Sequence, residues 1–305
     1  MKKKSVLRAS RLVKAKKTSP RTGTPHRARP LSQKKIGIMG VGMVGGAVAR
    51  IFDKPLVYDP HKGIGSLEEI NQADVVFICV PTPYDEERGG FDLSIVEEAI
   101  GNLKDGKIIV IKSTIVPGTT ESFQEKYPQH RFLFNPEFLT EVTADQDMRY
   151  PDRQIVGYTD KSYSVAGELM QILPMAPFER MMPATEAEMV KYFGNTWFAT
   201  KVVFANQMYD ICKALGINYD SVKDAAAADK RIGRSHLVVL HKGYRGYGGK
   251  CLPKDTRALI QKARELGVSA ELLERVEEIN NKLVTLPTEE GLESSNESFN
   301  NNAKG

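Results

Sequence analysis

Ile36 to Met39 is a short apolar run that ends on Gly40-Val41-Gly42-Met43-Val44-Gly45, and Asp59 stands nineteen residues after Gly40. Few local patterns restrict a fold so tightly. The first glycine permits a tight turn after a strand, the second lets backbone approach a pyrophosphate, and the third lets a helix pack against the strand. The free amides at the helix start then favour an anion. Asp59 closes a second apolar run, where a carboxylate would accept hydrogen bonds from adenosine ribose hydroxyls and repel a 2′-phosphate. Gly40, Gly42, Met43, Val44, Gly45 and Asp59 are therefore expected to bind NAD rather than NADP. A glycine-rich turn in an unrelated α/β protein is the plain alternative, and the flanking strand, helix and acid weigh against it.

Further apolar runs lie at 74–80, 107–112, 132–134 and 154–156, with helical patterns such as 94–103 between several of them. Strands alternating with helices predict an α/β fold, a Rossmann-like, doubly wound and mostly parallel sheet, over residues 35–183. The pattern then changes. Thr185-Glu186-Ala187-Glu188 has the spacing of a capping box, in which side chains satisfy the first free amides of a helix. Val190, Phe193, Trp197, Thr200, Phe204, Met208, Ile211 and Leu215 recur every three or four residues, predicting one face of a long helix ending at Gly216. That helix opens an α-helical central domain over 184–285, with further helices expected at 221–229, 256–266 and 270–284. It is a natural partition between lobes and a natural dimer surface.

The formal charge of +5 is unevenly spread: residues 1–33 carry eleven Lys or Arg and no acid, so the rest of the chain is net acidic. Residues 1–34, with Pro20, Pro25 and Pro30, and the Glu-, Ser- and Asn-rich residues 286–305 are expected to be disordered tails. The basic tail could touch nucleic acid or an anionic surface or serve in targeting, but a solvated tail is the simpler reading. No apolar run is long enough to span a bilayer. Cys79, Cys212 and Cys251 are too few for a disulfide framework and form no CxxC metal pair, so a reducing cytoplasm and no metal are expected. Cys79 and Cys212 sit among apolar neighbours and read as small buried hydrophobes.

Cys251 is different. It lies in Gly246-Tyr247-Gly248-Gly249-Lys250-Cys251-Leu252-Pro253-Lys254-Asp255, where glycines allow close approach to a ligand and a nearby cation lowers a thiol's pKa. Lys191 and Asn195, four apart on the long helix, project to the same side and could stabilise an oxyanion; alone, such a pair is more often a solvated helix face. Asp255 could move protons through a water or serve as N-cap of the helix that follows.

Four further segments converge: Val80-Pro81-Thr82-Pro83, Lys112-Ser113-Thr114 with Pro117-Gly118-Thr119, Asn135-Pro136-Glu137-Phe138-Leu139-Thr140-Glu141, and Pro151-Asp152-Arg153. With Lys191, Asn195 and the Cys251 segment, they resemble the UDP-glucose/GDP-mannose dehydrogenase family, in order, from about Lys35 to Val284. The resemblance implies an NAD-dependent oxidation of a nucleotide-sugar primary alcohol to a uronic acid in two hydride transfers, through a Cys251 thiohemiacetal and thioester. It implies catalytic roles for Cys251, Lys191, Asn195, Asp255, Thr114 and Glu137. Thr82, Thr114, Glu141 and Lys254 would border the cofactor. Glu137, Phe138, Leu139, Glu141, Lys191, Asn195, Tyr244 and Gly248 would hold the substrate, and Arg231 would reach the substrate of a neighbouring subunit in a homodimer.

The chain also departs from that family. The family's usual third domain, which grips the nucleotide, would begin about where this chain stops. Only twenty-three residues separate Asp59 from Thr82, about half the usual interval, so a strand–helix element is expected to be trimmed. The stretch between Arg231 and Cys251 is longer and more basic than usual, and His236 and His241 read as loop histidines. Two other functions stay open: a non-catalytic NAD- or partner-binding remnant, and a hydroxyacid dehydrogenase that would not need Cys251.

Overall fold

A computed structural model describes residues 30–85, 90–241, 243–249 and 251–285. Residues 1–29, most of the expected basic tail, and the expected polar tail 286–305 lie outside the described residues, as does Lys250. The strands are β1 (Ile36–Met39), β2 (Leu56–Tyr58), β3 (Val75–Ile78), β4 (Tyr84–Asp85), β5 (Gly90–Phe91), β6 (Ile108–Ile111), β7 (Arg131–Phe134), β8 (Arg153–Tyr158), β9 (Phe178–Pro183), β10 (Leu240–His241) and β11 (Tyr244–Arg245). The helices are α1 (Met43–Ala49), α2 (Leu67–Ile70), α3 (Ser94–Gly101), α4 (Thr119–Lys126), α5 (Ala144–Arg149), α6 (Tyr163–Ile172), α7 (Ala184–Ala214), α8 (Tyr219–Ala227), α9 (Leu252–Glu265) and α10 (Glu271–Leu283).

Seven strands form one sheet in the order β2-β1-β3-β6-β7-β8-β9, parallel throughout except between β7 and β8. β3 and β6 read Val-Val-Phe-Ile and Ile-Ile-Val-Ile and are buried along their whole length, as strands covered on both faces must be. Alternation sends Val76, Ile78, Ile109 and Ile111 into one core with Ile100 of α3 and Phe123 of α4. Val75, Phe77, Ile108 and Val110 enter the other core with Val48 of α1 and Leu169 of α6. The chain leaves β1 for β2 on one side and crosses to β3 on the other. That reversal opens a crevice at the carboxyl ends of β1 and β3, the place where doubly wound sheets take ligands. β2 is an outer strand of the sheet, and no strand pairs beyond it among the described residues. The interval between Asp59 and Thr82 holds the short α2 and then β3.

Two local expectations need correction. Residues 30–34 are not tail: Leu31 is 1% exposed, packs in the second core, and donates its amide to Glu168 Oε2 at 2.8 Å. A single leucine in a basic stretch gave no periodic signal. The capping box at Thr185 does not form either, since α7 starts at Ala184 behind Pro183 with no side-chain cap. Glu188 instead turns to another helix. Its Oε2 accepts from Gly118 N at 2.6 Å, and its Oε1 accepts from Thr120 N at 2.8 Å and Thr120 Oγ1 at 2.5 Å. One buried carboxylate therefore caps α4 from α7 and ties the long helix to the sheet domain.

β9 was not foreseen because it is a mostly exposed strand at the sheet's other edge, with charged residues and no apolar alternation. From its end at Pro183 the chain enters α7, 31 residues and about 46 Å long at 1.5 Å per residue. The face carrying Lys191, Tyr192, Asn195, Ala199 and Val203 is buried, and the helix packs on β8, α9 and α10. The apolar stripe read from the sequence points outward: Phe193, Trp197, Phe204, Ile211 and Leu215 are each at least half exposed. Among the described residues no helix is long and apolar enough to cross a membrane.

Candidate active site

The cofactor crevice follows from the turn after β1. Gly40 has a φ of 85°, and a Cβ on Gly45 would overlap the Gly40 carbonyl oxygen. Nothing lies within 4 Å of where a Cβ would stand on Gly42, leaving the open backbone that a pyrophosphate needs. Asp59 does more than the sequence suggested. Its Oδ2 accepts from Val41 N at 2.8 Å and its Oδ1 from Lys62 N at 3.2 Å, while Lys62 Nζ donates to Val41 O at 2.6 Å. A carboxylate has about four lone-pair sites, so acceptor capacity remains for ribose hydroxyls. Thr82 Oγ1 donates to Thr114 O at 2.7 Å, joining the chain after β3 to the chain after β6 beside this crevice. Gly45→Ala is expected to weaken NAD binding at least about fivefold, since overpacking here costs about 1–3 kcal/mol. Fluorescence titration checks this, and an unchanged affinity would place the cofactor elsewhere.

A second space, about 580 Å³, lies between the β7–α5 loop, the start of β8, α7 and the chain entering α9. Glu137, Phe138, Leu139, Lys191, Asn195 and Cys251 all line it. Lys191 Nζ donates to Glu137 Oε1 at 2.7 Å and to Glu137 O at 2.9 Å, and Glu137 Oε2 accepts from Leu139 N at 2.8 Å. Asn195 Nδ2 donates to Asp255 Oδ2 at 2.5 Å, and Lys254 Nζ donates to Asp255 Oδ1 at 2.7 Å. Asp255 is completely buried and sits in the first turn of α9, which begins at Leu252 rather than at Thr256. It therefore does not cap the helix, and Cys251 occupies the position before the first turn.

The electrostatics differ from the simple expectation for the thiol. Burial raises the Cys251 pKa, Lys191 lowers it, Asp255 raises it, and the balance lies above the ordinary thiol value. Burial also acts on Glu137, but Lys191 and the Leu139 amide outweigh it and hold the carboxyl below its usual range. Lys112, which the sequence reading did not assign to the site, lines the same cavity at 4% exposure. Its Nζ donates to Asn135 Oδ1 at 2.7 Å and Asn135 O at 3.3 Å, and burial lowers its pKa to about 8.

Other residues missed by the sequence reading are Arg153, Phe198 and His236. The His236 ring stacks on Phe198 with centroids 4.2 Å apart and planes 2° apart, and its backbone has a φ of 63°. Burial, then Lys201 and His241, lowers its pKa, favouring neutral imidazole. A non-glycine residue in that conformation is uncommon, and nothing in the sequence marks it, where it reads as a loop histidine. The remaining expected residues lie outside the cavity lining. Lys254 stands 4.4 Å from the Phe91 ring centroid, Tyr244 lies against Gly248, and Glu141 is exposed. Arg231 has a 91% exposed side chain paired with Asp229 at 2.6 Å and does not reach this chain's own cavity. Cys212 is buried, and burial pushes the Cys79 thiol to about 12, in keeping with structural roles.

Residues 64–173 match the NAD binding domain of the UDP-glucose/GDP-mannose dehydrogenase family and residues 185–282 match its central domain. A UDP-glucose 6-dehydrogenase of Pseudomonas aeruginosa is 39% identical over 233 residues, covering 70% of this chain and 49% of the relative. A GDP-mannose 6-dehydrogenase of Pseudomonas putida is 36% identical over 237 residues, 71% and 52% respectively. The chain thus spans about half the length of the curated relatives it matches. Among solved structures, a UDP-glucose dehydrogenase from Pyrobaculum islandicum superposes with a TM-score of 0.72 at 29% identity, over 85% of this chain and 70% of that one.

Proposed function

The chain belongs to the UDP-glucose/GDP-mannose dehydrogenase family, carrying its NAD-binding and central domains, and on that premise we propose that it oxidises the primary alcohol of a nucleotide-sugar, UDP-glucose foremost, to the uronic acid. The observation that carries this reading is Cys251 sharing one cavity with Lys191, Asn195 and Glu137. NAD, when bound, accepts the hydrides, one for each two-electron step. Lys191 and Asn195, one turn apart on a rigid helix, stabilise negative charge as it develops on the sugar oxygen. Asp255, bonded to Asn195, takes the alcohol's proton through a water and releases it to solvent, then takes the thiol's proton and returns it to the thiohemiacetal oxygen.

The Cys251 sulfur then adds to the aldehyde carbon. A C–S bond forms, the carbonyl electron pair moves to oxygen, and a proton completes the thiohemiacetal. Loss of the second hydride and the hydroxyl proton leaves a thioester. Water held by Glu137 and Thr114 attacks it, the C–S bond breaks, and Cys251 leaves with the acid released. Glu137 suits that task because it is ionised and accepts hydrogen bonds. The exposed apolar face of α7 and the outward Arg231 support a homodimer in which each chain lends an arginine to its partner. A catalytic free thiol suits the reducing cytoplasm.

NADH release from purified protein offered a panel of UDP- and GDP-sugars tests the reading. Two NADH per sugar are expected. One NADH from a small hydroxyacid would show a simpler dehydrogenase, and NAD binding with no turnover on any donor would show a non-catalytic remnant.

A further inference from the structure

We propose that Arg153 is the anion receptor of the cavity and takes the diphosphate of the nucleotide-linked ligand, an inference that rests on the nucleotide-sugar reading. Arg153 opens β8, and its guanidinium lines the cavity half-buried, with Cζ 3.9 Å from the Phe138 ring centroid. Its other side runs along α7, where Nη2 lies 3.7 Å from the point a Cβ would occupy on Gly194. Gly194 is flanked by Lys191 one turn before and Asn195 directly after, so the guanidinium stands beside the groups that would hold the reacting sugar. Phe138 is consequently bordered by two cations, since Lys191 Nζ lies 6.0 Å from the same ring centroid.

Two of the three carboxylates lining the cavity are otherwise engaged. Glu137 is taken by Lys191 and the Leu139 amide. Asp147 Oδ2 accepts from Thr140 N, Thr140 Oγ1 and Thr143 Oγ1 at 2.9, 2.6 and 2.8 Å. Asp152, exposed and adjacent, attracts Arg153 electrostatically, but no acid among the described residues forms an ion pair with it. Burial lowers the guanidinium's pKa without approaching neutrality, because arginine stays charged at any physiological pH. A planar fork of five donors, packed on an aromatic face and given no acceptor by the described residues, is built for a bidentate oxyanion. The pyrophosphate of NAD belongs to the separate turn after β1, and the diphosphate of the sugar donor is the anion left for this cavity.

Calorimetric titration of the full chain with UDP, GDP, the matching nucleosides, inorganic pyrophosphate and NAD tests the assignment. The wild type should bind the diphosphates at least about tenfold more tightly than the nucleosides, a difference of about 1.4 kcal/mol. Arg153→Gln should abolish that preference while NAD affinity stays unchanged, which also shows that the variant folds. Arg153→Lys, retaining charge without the fork, should fall between. A diphosphate preference that survives in Arg153→Gln overturns the proposal and leaves the nucleotide-sugar reading intact. Binding of small carboxylates such as malate in place of diphosphates, lost in Arg153→Gln, would keep the receptor and overturn the nucleotide-sugar reading. No binding of any anion by the wild type overturns the anion receptor itself.

Discussion

Cys251→Ser should abolish uronic acid formation, by at least about a thousandfold in kcat, while leaving NAD affinity within about twofold of wild type. The expectation follows from dividing the reaction into two oxidations. An aldehyde has no hydride to give until a nucleophile or water has added to its carbon, and sulfur both adds readily and leaves readily from the thioester. An oxygen at the same place forms an ester that water attacks far more slowly. Mass spectrometry of the stalled enzyme and NADH counting in a single turnover provide the readout, with at most a stoichiometric burst expected. Undiminished steady-state acid production would remove Cys251 from the mechanism. Burial and Asp255 hold its thiol above the ordinary pKa, with Lys191 and Lys254 acting in the opposite direction.

Glu188→Ala should have the largest effect on stability, about 3 kcal/mol or more, because each orphaned buried donor costs about 1–3 kcal/mol. The substitution leaves the amides of Gly118 and Thr120 facing a void where a fully buried carboxylate stood. The same carboxyl gives a sign to the pH dependence. Burial raises its pKa from the ordinary 4.5 to about 7, against the three hydrogen bonds that lower it. The folded protein therefore binds more protons than the unfolded chain between those values, and this group's contribution is complete below about pH 4.5. That contribution is lost as pH rises through about 7, by about 3 kcal/mol at most. In urea titrations the wild type should lose stability between pH 5 and pH 8 relative to Glu188→Gln, which cannot titrate. Parallel curves for the two proteins would contradict the assignment.

The sheet was legible because its strands are apolar on both faces and punctuated by glycine. Val75–Ile78 and Ile108–Ile111 could hardly have been anything else. β9 was illegible for the opposite reason: an edge strand satisfies the ladder with its backbone and needs no hydrophobic pattern. Glu188 shows a second limit, since the spacing that suggests a local cap cannot say which helix the carboxylate will serve. The site divides the same way. Cys251 was marked by its glycines and nearby cations, whereas Lys191 and Asn195 gained weight, and Glu137 its role, only from the family resemblance; the fold brings the four to one cavity. Lys112, Arg153, Phe198 and His236 were not marked, because their roles arise from three-dimensional juxtaposition: a buried amine, a guanidinium on a ring, a stacked pair.

Asp59 shows how firmly the preference for NAD can be locked in. Conversion to an NADP enzyme asks for a neutral or basic residue at this position, yet the same carboxylate holds the Val41 amide and the turn at Lys62. Any replacement that welcomes a second phosphate also gives up at least one of these two bonds in the loop the first cofactor lies on. The two changes are inseparable at one codon, so a shift in cofactor requires a compensating substitution elsewhere in the turn before the intermediate is viable. Such coupling makes the cofactor choice an evolutionary ratchet: easily kept, and reversible only through a pair of changes, each harmful alone.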